Sequence, residues 1–184
     1  MVWVQAGAFV IGSLLLLGLS RQALLRPKSH GFYRFFAWEA ILALLVLNGP
    51  VWFEDRYSAH QLVSWALLFS SLLLLFVGLY QLRKMGKPDT QRQDAELFAF
   101  ERTSQLVTSG VYRVIRHPLY ASLLLLAWGV ACKQPGFVSW LLAALASVAL
   151  YLTARCDEAE CRAQFGQAYA DYMQRSRMFI PFIF

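Results

Sequence analysis

The chain has 184 residues, of which 58% are hydrophobic and only 15% are charged, and its formal net charge is +6. This composition is too apolar for a soluble domain of this size and predicts an all-α integral membrane protein. The positive charge is explained by membrane topology and by contact with anionic lipid. We therefore expect the membrane bilayer as a partner and no nucleic acid.

Five apolar segments predict five transmembrane helices. Four of them have the roughly 20 apolar residues that a span needs. The other is short, but it continues from Pro118 and ends at Lys133, whose side chain can snorkel to the interface. The first segment has no basic region ahead of it, which favours a permanent span over a cleaved signal peptide. In chain order the predicted spans are Val2–Ser20, Phe35–Phe53, Leu62–Leu82, Leu119–Cys132 and Gly136–Ala154.

The basic residues predict the orientation of these spans. Of the 17 lysines and arginines, 15 lie in three regions: Arg21–Arg34, Arg83–Arg116 and the tail from Arg155 onward. The positive-inside rule makes those regions cytoplasmic. The N-terminus is then outside and the C-terminus inside. Compactness and short loops suit a bacterial inner membrane.

The segment between the third and fourth spans is longer than a connection requires, and long loops are often functional. Within it, Ala95–Gln105 has the pattern of a short amphipathic helix. We expect one membrane domain over 1–184, made of N-terminal spans at 1–82, a cytoplasmic loop at 83–118, a helical hairpin at 119–154, and a tail helix with an apolar C-terminus at 155–184.

Polar residues near the first spans give one candidate for catalysis. Glu39 lies about one turn inside the second span, and an ionisable group there is a functional candidate by default. Pairing with Arg34 at the interface would explain it equally well. His30 is interpreted as a solvated loop residue. The three cysteines lack the spacing of a disulfide or metal framework, so we expect no metal.

The stretch before the fourth span carries the strongest chemical signal. Pro118 is suited to the first position of a helix, and it disfavours helical backbone at His117. Arg113, Arg116, an imidazole and the free amides of a helix start then meet at one place, which predicts a site for an anionic group or a charged cofactor. The alternative is that the two arginines are membrane-flanking charges.

A second signal lies in the tail, where the fifth span is predicted to continue as a helix that Gly166 interrupts. On a continuous helix an acidic, a basic and three aromatic side chains would share one face. Such a stripe suits ribose hydroxyls, an amino-acid head group and a base. The alternative is an amphipathic helix lying on the membrane. The stripe consists of Glu158, Arg162, Phe165, Tyr169 and Tyr172.

Together these two stretches resemble the isoprenylcysteine carboxyl methyltransferases and their phospholipid methyltransferase relatives. The resemblance covers Leu106 to the C-terminus, and the first three spans contribute only hydrophobicity. Asp157 stands where glutamate is usual, and Val111 where proline is common. The matching positions are Gly110, Tyr112, Arg116-His117-Pro118 and Tyr120 before the hairpin, then Asp157-Glu158, Phe165-Gly166, Tyr169, Tyr172 and Phe179-Ile180-Pro181 after it.

The resemblance implies a membrane enzyme that transfers a methyl group from S-adenosylmethionine to a lipophilic acceptor at the cytoplasmic face. It implies cofactor contacts from the loop before the fourth span and from the tail helix. Arg116, Arg155 or Arg162 could hold a carboxylate by a bidentate contact. The implied cofactor residues are Tyr112, His117, Pro118, Tyr120, Glu158, Arg162 and Tyr169, and the implied catalytic residues are Arg116, Glu158 and Glu39.

The acceptor stays open at this stage. A carboxylate, as in isoprenylcysteine-type O-methylation, needs no base, whereas a lipid amine must first lose a proton to a group such as Glu39 or Glu158. A thiol is a third possibility. Two rivals remain: an NADPH-dependent sterol-type reductase, which shares a related Arg-His-Pro-x-Tyr stretch, and a membrane scaffold without enzymatic activity.

Overall fold

A computed structural model describes residues 2–27, 29–87 and 104–181. Within these ranges the chain forms six α-helices and a short 3₁₀ turn, Gly110–Arg113, and its one β-type contact is an isolated bridge. The predicted helix Ala95–Gln105 lies outside the described residues except for its last two positions. The helices are α1 Val2–Leu24, α2 His30–Asn48, α3 Ala59–Met85, α4 Pro118–Ala131, α5 Phe137–Phe165 and α6 Gln167–Arg175.

Four helices, α1, α2, α3 and α5, are long and apolar enough to cross a membrane, and α4 is a shorter apolar helix of 14 residues. Each corresponds to one predicted span, so the all-α membrane class is confirmed. Large apolar side chains such as Trp3 and Leu73 are 88% and 67% exposed. Only lipid can cover so much outward apolar surface without cost, which makes the chain a multi-pass membrane protein.

The second helix begins earlier in the chain than the sequence predicts. Helix α2 starts at His30, because the Ser29 hydroxyl accepts a hydrogen bond from the Phe32 amide and caps the helix there. The helix ends at Asn48, whose side-chain amide donates to the Leu44 carbonyl at 2.9 Å. The helix therefore ends before the predicted limit at Phe53, and its start lies more than one turn closer to the N-terminus than the predicted Phe35.

The bundle centre is formed by α2 packed on α5 and α3 packed on α4, with α1 at the periphery against α2. Small side chains allow these helices to approach closely. Gly129 of α4 is the clearest case, because a Cβ there would lie 3.0 Å from the Leu68 side chain of α3. The α5 side of the core is also built from small residues, namely Ala143, Ala146, Ala149 and Ala154.

Lys133, in the turn between α4 and α5, does not snorkel as predicted. Its side chain is 2% exposed, and its ammonium donates to the Gln61 side-chain oxygen at 2.9 Å. The same ammonium lies 3.5 Å from the Trp65 ring centroid and 5.0 Å from that of Trp52. The prediction from local sequence failed because residues distant in the chain provide a hydrogen bond and cation–π contacts to the ammonium. These contacts replace the hydration that the side chain would otherwise reach at the membrane interface.

We predict that Gln61→Leu destabilises the protein more than Lys133→Met does. The first change leaves a buried ammonium without its hydrogen-bond acceptor and should cost about 2 kcal/mol. The second removes the buried charge together with its need for a partner. Thermal unfolding in detergent measures both, and the double variant should be more stable than Gln61→Leu alone. Equal losses in the two single variants would contradict this assignment.

Candidate functional site

The stretch before α4 is positioned by Gly110. Its φ of +63° is left-handed, and a Cβ at this position would lie 2.3 Å from the Gln81 side chain of α3. Only glycine satisfies both conditions at low cost. The Gln81 side-chain oxygen accepts a hydrogen bond from the Val111 amide at 2.8 Å. The 3₁₀ turn is therefore fixed against α3, and Tyr112 is buried within it.

A short parallel bridge then joins the stretch before α4 to the segment after α6. The Arg116 amide donates to the Arg177 carbonyl at 2.7 Å, and the Arg177 amide donates to the Val114 carbonyl at 2.9 Å. The His117 amide donates to the Met178 carbonyl at 3.2 Å. These bonds, together with one from the Tyr172 hydroxyl to the Tyr112 carbonyl, bring the two halves of the sequence motif, about 60 residues apart, into one site.

The guanidinium of Arg116 makes the central ionic contact of this site. Its Nε donates to Glu158 Oε1 on α5 at 2.8 Å, and both side chains are more than nine-tenths buried. One terminal nitrogen donates to the carbonyls of Ser176 and Met173 at 2.6 Å and 3.3 Å. The planar fork of arginine suits this set of acceptors at once. Arg116 thereby ties the loop, α5 and the end of α6 together.

His117 is the N-cap of α4, with φ −121° and ψ 62°, and Pro118 is the first helical residue. This agrees with the prediction that proline keeps the histidine out of the helix. The imidazole lies 3.4 Å from Asp157 Oδ2 through Nδ1 and 3.5 Å from Glu158 Oε1 through Nε2. It stacks on the Tyr120 ring at a centroid distance of 5.4 Å.

The charged residues of α5 in this site lie beyond Ala154, where the apolar part of the helix has ended. These residues and His117 shift one another's pKa values. Burial lowers the pKa of His117, but the neighbouring Asp157 and Glu158 carboxylates outweigh it and raise the pKa above 6.5. Burial raises the pKa of Asp157, but its contact with His117 brings the pKa down to about 2. Burial also raises the pKa of Glu158, but the contacts with His117 and Arg116 outweigh it and lower the pKa below its usual value. The two carboxylates and the imidazole therefore stabilise one another's charged forms.

An open-mouthed cavity lies beside this cluster and encloses about 860 Å³ of space, its mouth included. The predicted site residues that line it are Tyr112, Arg116, His117, Pro118, Tyr120 and Tyr169. Burial raises the pKa of the Tyr169 phenol, so this hydroxyl stays protonated. Lining residues that were not predicted for the site include His30, Gln105, Asp157, Glu160, Cys161 and Gln164.

Three predicted site residues do not line the cavity. Glu158 lies behind it and contacts Arg116 and His117. Arg162, within α5, is exposed. Gly166, at φ +56°, ends α5 and separates it from α6, so the predicted stripe is not one continuous face. Glu39 accepts a hydrogen bond from Ser13 of α1 at 2.7 Å, within the bundle rather than beside the cavity.

His30 lies in this site, so its interpretation as a solvated loop residue is wrong. It is 1% exposed, its Nδ1 lies 2.6 Å from Glu160 Oε2, and its backbone amide donates to Glu160 Oε1 at 3.1 Å. The sequence signal that could have placed His30 in a helix was Ser29, a helix-capping residue type that immediately precedes His30. His30, Asp157 and Glu160 each offer one ligand atom within 4.8 Å of the others, although the sequence predicted no metal.

We predict that Arg116→Met lowers the free energy of unfolding by about 3 kcal/mol, because it leaves Glu158 buried without its cation. Thermal unfolding in detergent measures the loss. Arg113→Met is the matched control, since Arg113 lies three residues earlier and is exposed. It should change stability by less than about 0.5 kcal/mol. Similar losses in both variants would show that Arg116 contributes no more than a surface charge.

We also predict a loss of stability as the pH rises through the raised pKa of His117. Because the folded protein holds this proton more tightly, the stabilisation is complete below about pH 6.5 and disappears above the folded pKa. Asp157 acts in the opposite sense: its contribution is present above pH 3.8 and is lost as the pH falls through about 2. The melting temperature against pH should lose its alkaline decline in His117→Gln and keep it in His60→Gln. An unchanged decline in His117→Gln would contradict this assignment.

Comparison with known proteins gives matches in sequence. The family model described as Phospholipid methyltransferase matches residues 60–168, more than half of the chain. Methanethiol S-methyltransferase 1 of Bradyrhizobium diazoefficiens is 26% identical over 172 residues, which cover 85% of this chain and 55% of the relative. Methanethiol S-methyltransferase 2 of the same organism is 37% identical over 75 residues, 40% of this chain and 28% of the relative.

The chain thus spans about half the length of the first relative and less of the second. No solved structure matches the chain. The family match includes the 3₁₀ turn, the Arg116-His117-Pro118 stretch, the hairpin and the acidic pair on α5. The resemblance drawn from these motifs is confirmed, and the chain belongs to the phospholipid methyltransferase family.

Proposed function

We propose that the protein is an S-adenosylmethionine-dependent methyltransferase whose acceptor enters from the membrane. The observation that carries this proposal is the cavity between the two halves of the motif, at one end of an apolar helical bundle. A cationic, water-soluble donor and a lipophilic acceptor can meet only at such an interface. Methyl transfer is an in-line displacement, so alignment of the reactants and exclusion of water are the main contributions of the protein.

The lining of the cavity suits S-adenosylmethionine, which supplies a methyl group on a cationic sulfonium. Asp157 and Glu160 present carboxylates that attract a cation and accept hydrogen bonds from ribose hydroxyls. The rings of Tyr112, Tyr120 and Tyr169 offer faces for a purine and for a cation. We assign cofactor binding to these residues with His117 and Pro118.

Glu158 and Arg116 have a supporting role in this proposal. Their buried pair fixes His117 and the end of α6, and both of these border the cavity. Arg116 also lines the cavity and is the candidate for contact with the cofactor carboxylate. Glu39 and Arg162 are assigned no direct part, because neither borders the cavity.

The charge distribution favours a cytoplasmic site. The described basic residues at the helix ends beside the cavity, such as Arg83, Arg116 and Arg155, belong to the three basic regions of the sequence. By the positive-inside rule we infer that this end faces the cytoplasm and that the N-terminus is outside. A bacterial inner membrane is the setting we infer from the short loops. The named relatives are methanethiol S-methyltransferases, which supports the thiol among the carboxylate, lipid-amine and thiol acceptors considered from the sequence.

We predict that S-adenosylhomocysteine raises the melting temperature of the detergent-purified protein and that NADPH does not. At about 100 times its dissociation constant a ligand stabilises by roughly 2.7 kcal/mol. The rise should disappear in Asp157→Asn, which removes a carboxylate from the cavity wall. It should persist in Asp171→Asn, the same change on the exposed surface of α6.

Each contrary result has a definite meaning. Stabilisation by NADPH alone would assign the Arg-His-Pro stretch to a reductase. A folded protein that responds to neither compound would favour a scaffold without enzymatic activity. Loss of the response in both aspartate variants would mean that general charge, rather than the cavity wall, controls binding.

A further inference from the structure

We propose that the protein binds an anionic phosphate group in a cleft between Arg113 and Arg175, and that this group ties the two halves of the motif together. Thr108 and Tyr172 complete the described lining of this arginine cleft. The proposed methyl transfer assigns no part to the cleft, so the inference goes beyond the proposed function. Binding of a phosphate group can be measured without the methyl donor.

Arg113 is the starting observation. The sequence groups it with Arg116 as the cations of one anion site, and the structure separates the two. Arg116 bonds Glu158 and is more than nine-tenths buried, whereas Arg113 is exposed at the end of the 3₁₀ turn and lines the arginine cleft. The anion that the sequence predicts beside these residues therefore has a second place in the fold, outside the cofactor cavity.

The positive charges of the arginine cleft are available to a ligand. Among the described residues, neither Arg113 nor Arg175 has a partner for its guanidinium in a hydrogen bond or an ion pair. Asp171, one turn before Arg175 on α6, accepts a hydrogen bond from Gln167 at 2.8 Å instead. Guanidinium groups bind phosphate oxygens through charged hydrogen bonds that are frequently bidentate. Two of them in one concavity therefore suit a phosphate group.

The surrounding charge favours a phosphate group with net negative charge over a zwitterionic one. Among the described residues that line the cleft none is acidic. Arg177 is exposed, and its backbone is bonded to Val114 and Arg116, just after Arg113 in the chain. An ammonium group beside the phosphate would thus meet three positive charges within the range of electrostatic screening. The fitting ligands are an anionic phospholipid and a soluble phosphate ester.

The arginine cleft lies close to the apolar part of the bundle. Met178 and Phe179, shortly after Arg175, are buried against α4 and α5, and the next residue, Ile180, is 50% exposed. The three residues from Arg175 to Met178 span at most about 11 Å. The headgroups of a bilayer adjoin its hydrocarbon layer, so a lipid phosphate can reach this depth. A lipid headgroup is therefore a possible source of the phosphate alongside a soluble ester.

A phosphate group bonded to both arginines would hold the cofactor site in its assembled form. Arg113 directly follows Tyr112, which lines the cavity, and Arg175 precedes Ser176, whose carbonyl accepts a hydrogen bond from Arg116. Tyr172 lines both the cleft and the cavity. Occupation of the cleft should therefore tighten cofactor binding, and the cofactor should tighten phosphate binding by the same factor.

The first test measures phosphate binding without the methyl donor. The full-length protein is unfolded thermally in detergent with inorganic phosphate, and chloride at equal ionic strength is the reference. At about ten times its dissociation constant, phosphate should raise the melting temperature by about 4 °C. Arg113→Gln and Arg175→Gln should each remove the rise. Arg21→Gln, which removes an exposed charge from the last turn of α1, should keep it.

The second test identifies the source of the phosphate and measures the coupling. The dissociation constant of S-adenosylhomocysteine is compared in nanodiscs of phosphatidylcholine alone, with added phosphatidylglycerol, and with glycerol 3-phosphate in solution. We expect the fitting compound to tighten binding about fivefold in the wild type and in Arg21→Gln, and to have no effect in Arg113→Gln. An effect of phosphatidylglycerol alone assigns the cleft to a lipid headgroup. An effect of glycerol 3-phosphate assigns it to a soluble ester.

The contrary results are distinct from one another. No response of the folded wild type to any of the three phosphate compounds would overturn the site. A response that Arg21→Gln reduces as much as Arg113→Gln does would show general charge attraction. An equal effect of oleate, a carboxylate, would overturn the phosphate assignment. Stabilisation by phosphate without a change in cofactor affinity would overturn the coupling. A wild type that phosphate stabilises but that does not bind S-adenosylhomocysteine would overturn the proposed function and leave the phosphate site in place.

Discussion

The buried ion pair between Arg116 and Glu158 is the constraint on which the rest of the site depends. A lone buried carboxylate on α5 would be costly, and the same guanidinium also satisfies two carbonyls at the end of α6. The loop before α4 therefore cannot shift without breaking contacts to both helices. The backbone bridge at Ile115 and Arg177 reinforces this arrangement. Two sequence segments that are far apart in the chain behave as one structural unit.

This unit lies where the character of the protein changes from apolar to ionic. Toward the membrane, α4 begins at Pro118 and continues as apolar helix. On the other side, His117 lies between two carboxylates, and Asp157 and Glu160 border the cavity. A polar cationic ligand and an apolar one can each be solvated on their own side. The position of the site at the boundary follows from helix hydropathy as much as from the ionic residues.

Much of the fold could be predicted from the sequence, because hydropathy and helix signals act locally. All five apolar helices, the start of α4 at Pro118 and the break at Gly166 follow from such signals. The acidic pair and the two tyrosines of the tail were also identified, although Arg162 lies on the exposed side of α5. A glycine predicts a break in a helix, but it does not predict the direction in which the chain continues.

The features that the sequence did not predict depend on contacts between distant residues. His30 and Glu160 are 130 positions apart, and each has an ordinary local explanation: a loop histidine and a surface acid on a helix. From its sequence position alone Lys133 is expected to snorkel, but in the fold its ammonium contacts Gln61 and Trp65 instead. In both cases the side chain is stabilised by contacts with residues distant in the chain. The periodicity of a single sequence does not indicate such contacts.

The most direct test of the central claim is an experimental structure of the protein with S-adenosylhomocysteine bound. We expect the ligand between the 3₁₀ turn, α5 and α6, with Asp157 and Tyr169 in contact with it and the Arg116–Glu158 pair intact behind it. A ligand bound elsewhere, or a structure in which Arg116 leaves Glu158 and the two halves of the motif separate, would contradict this view of the site.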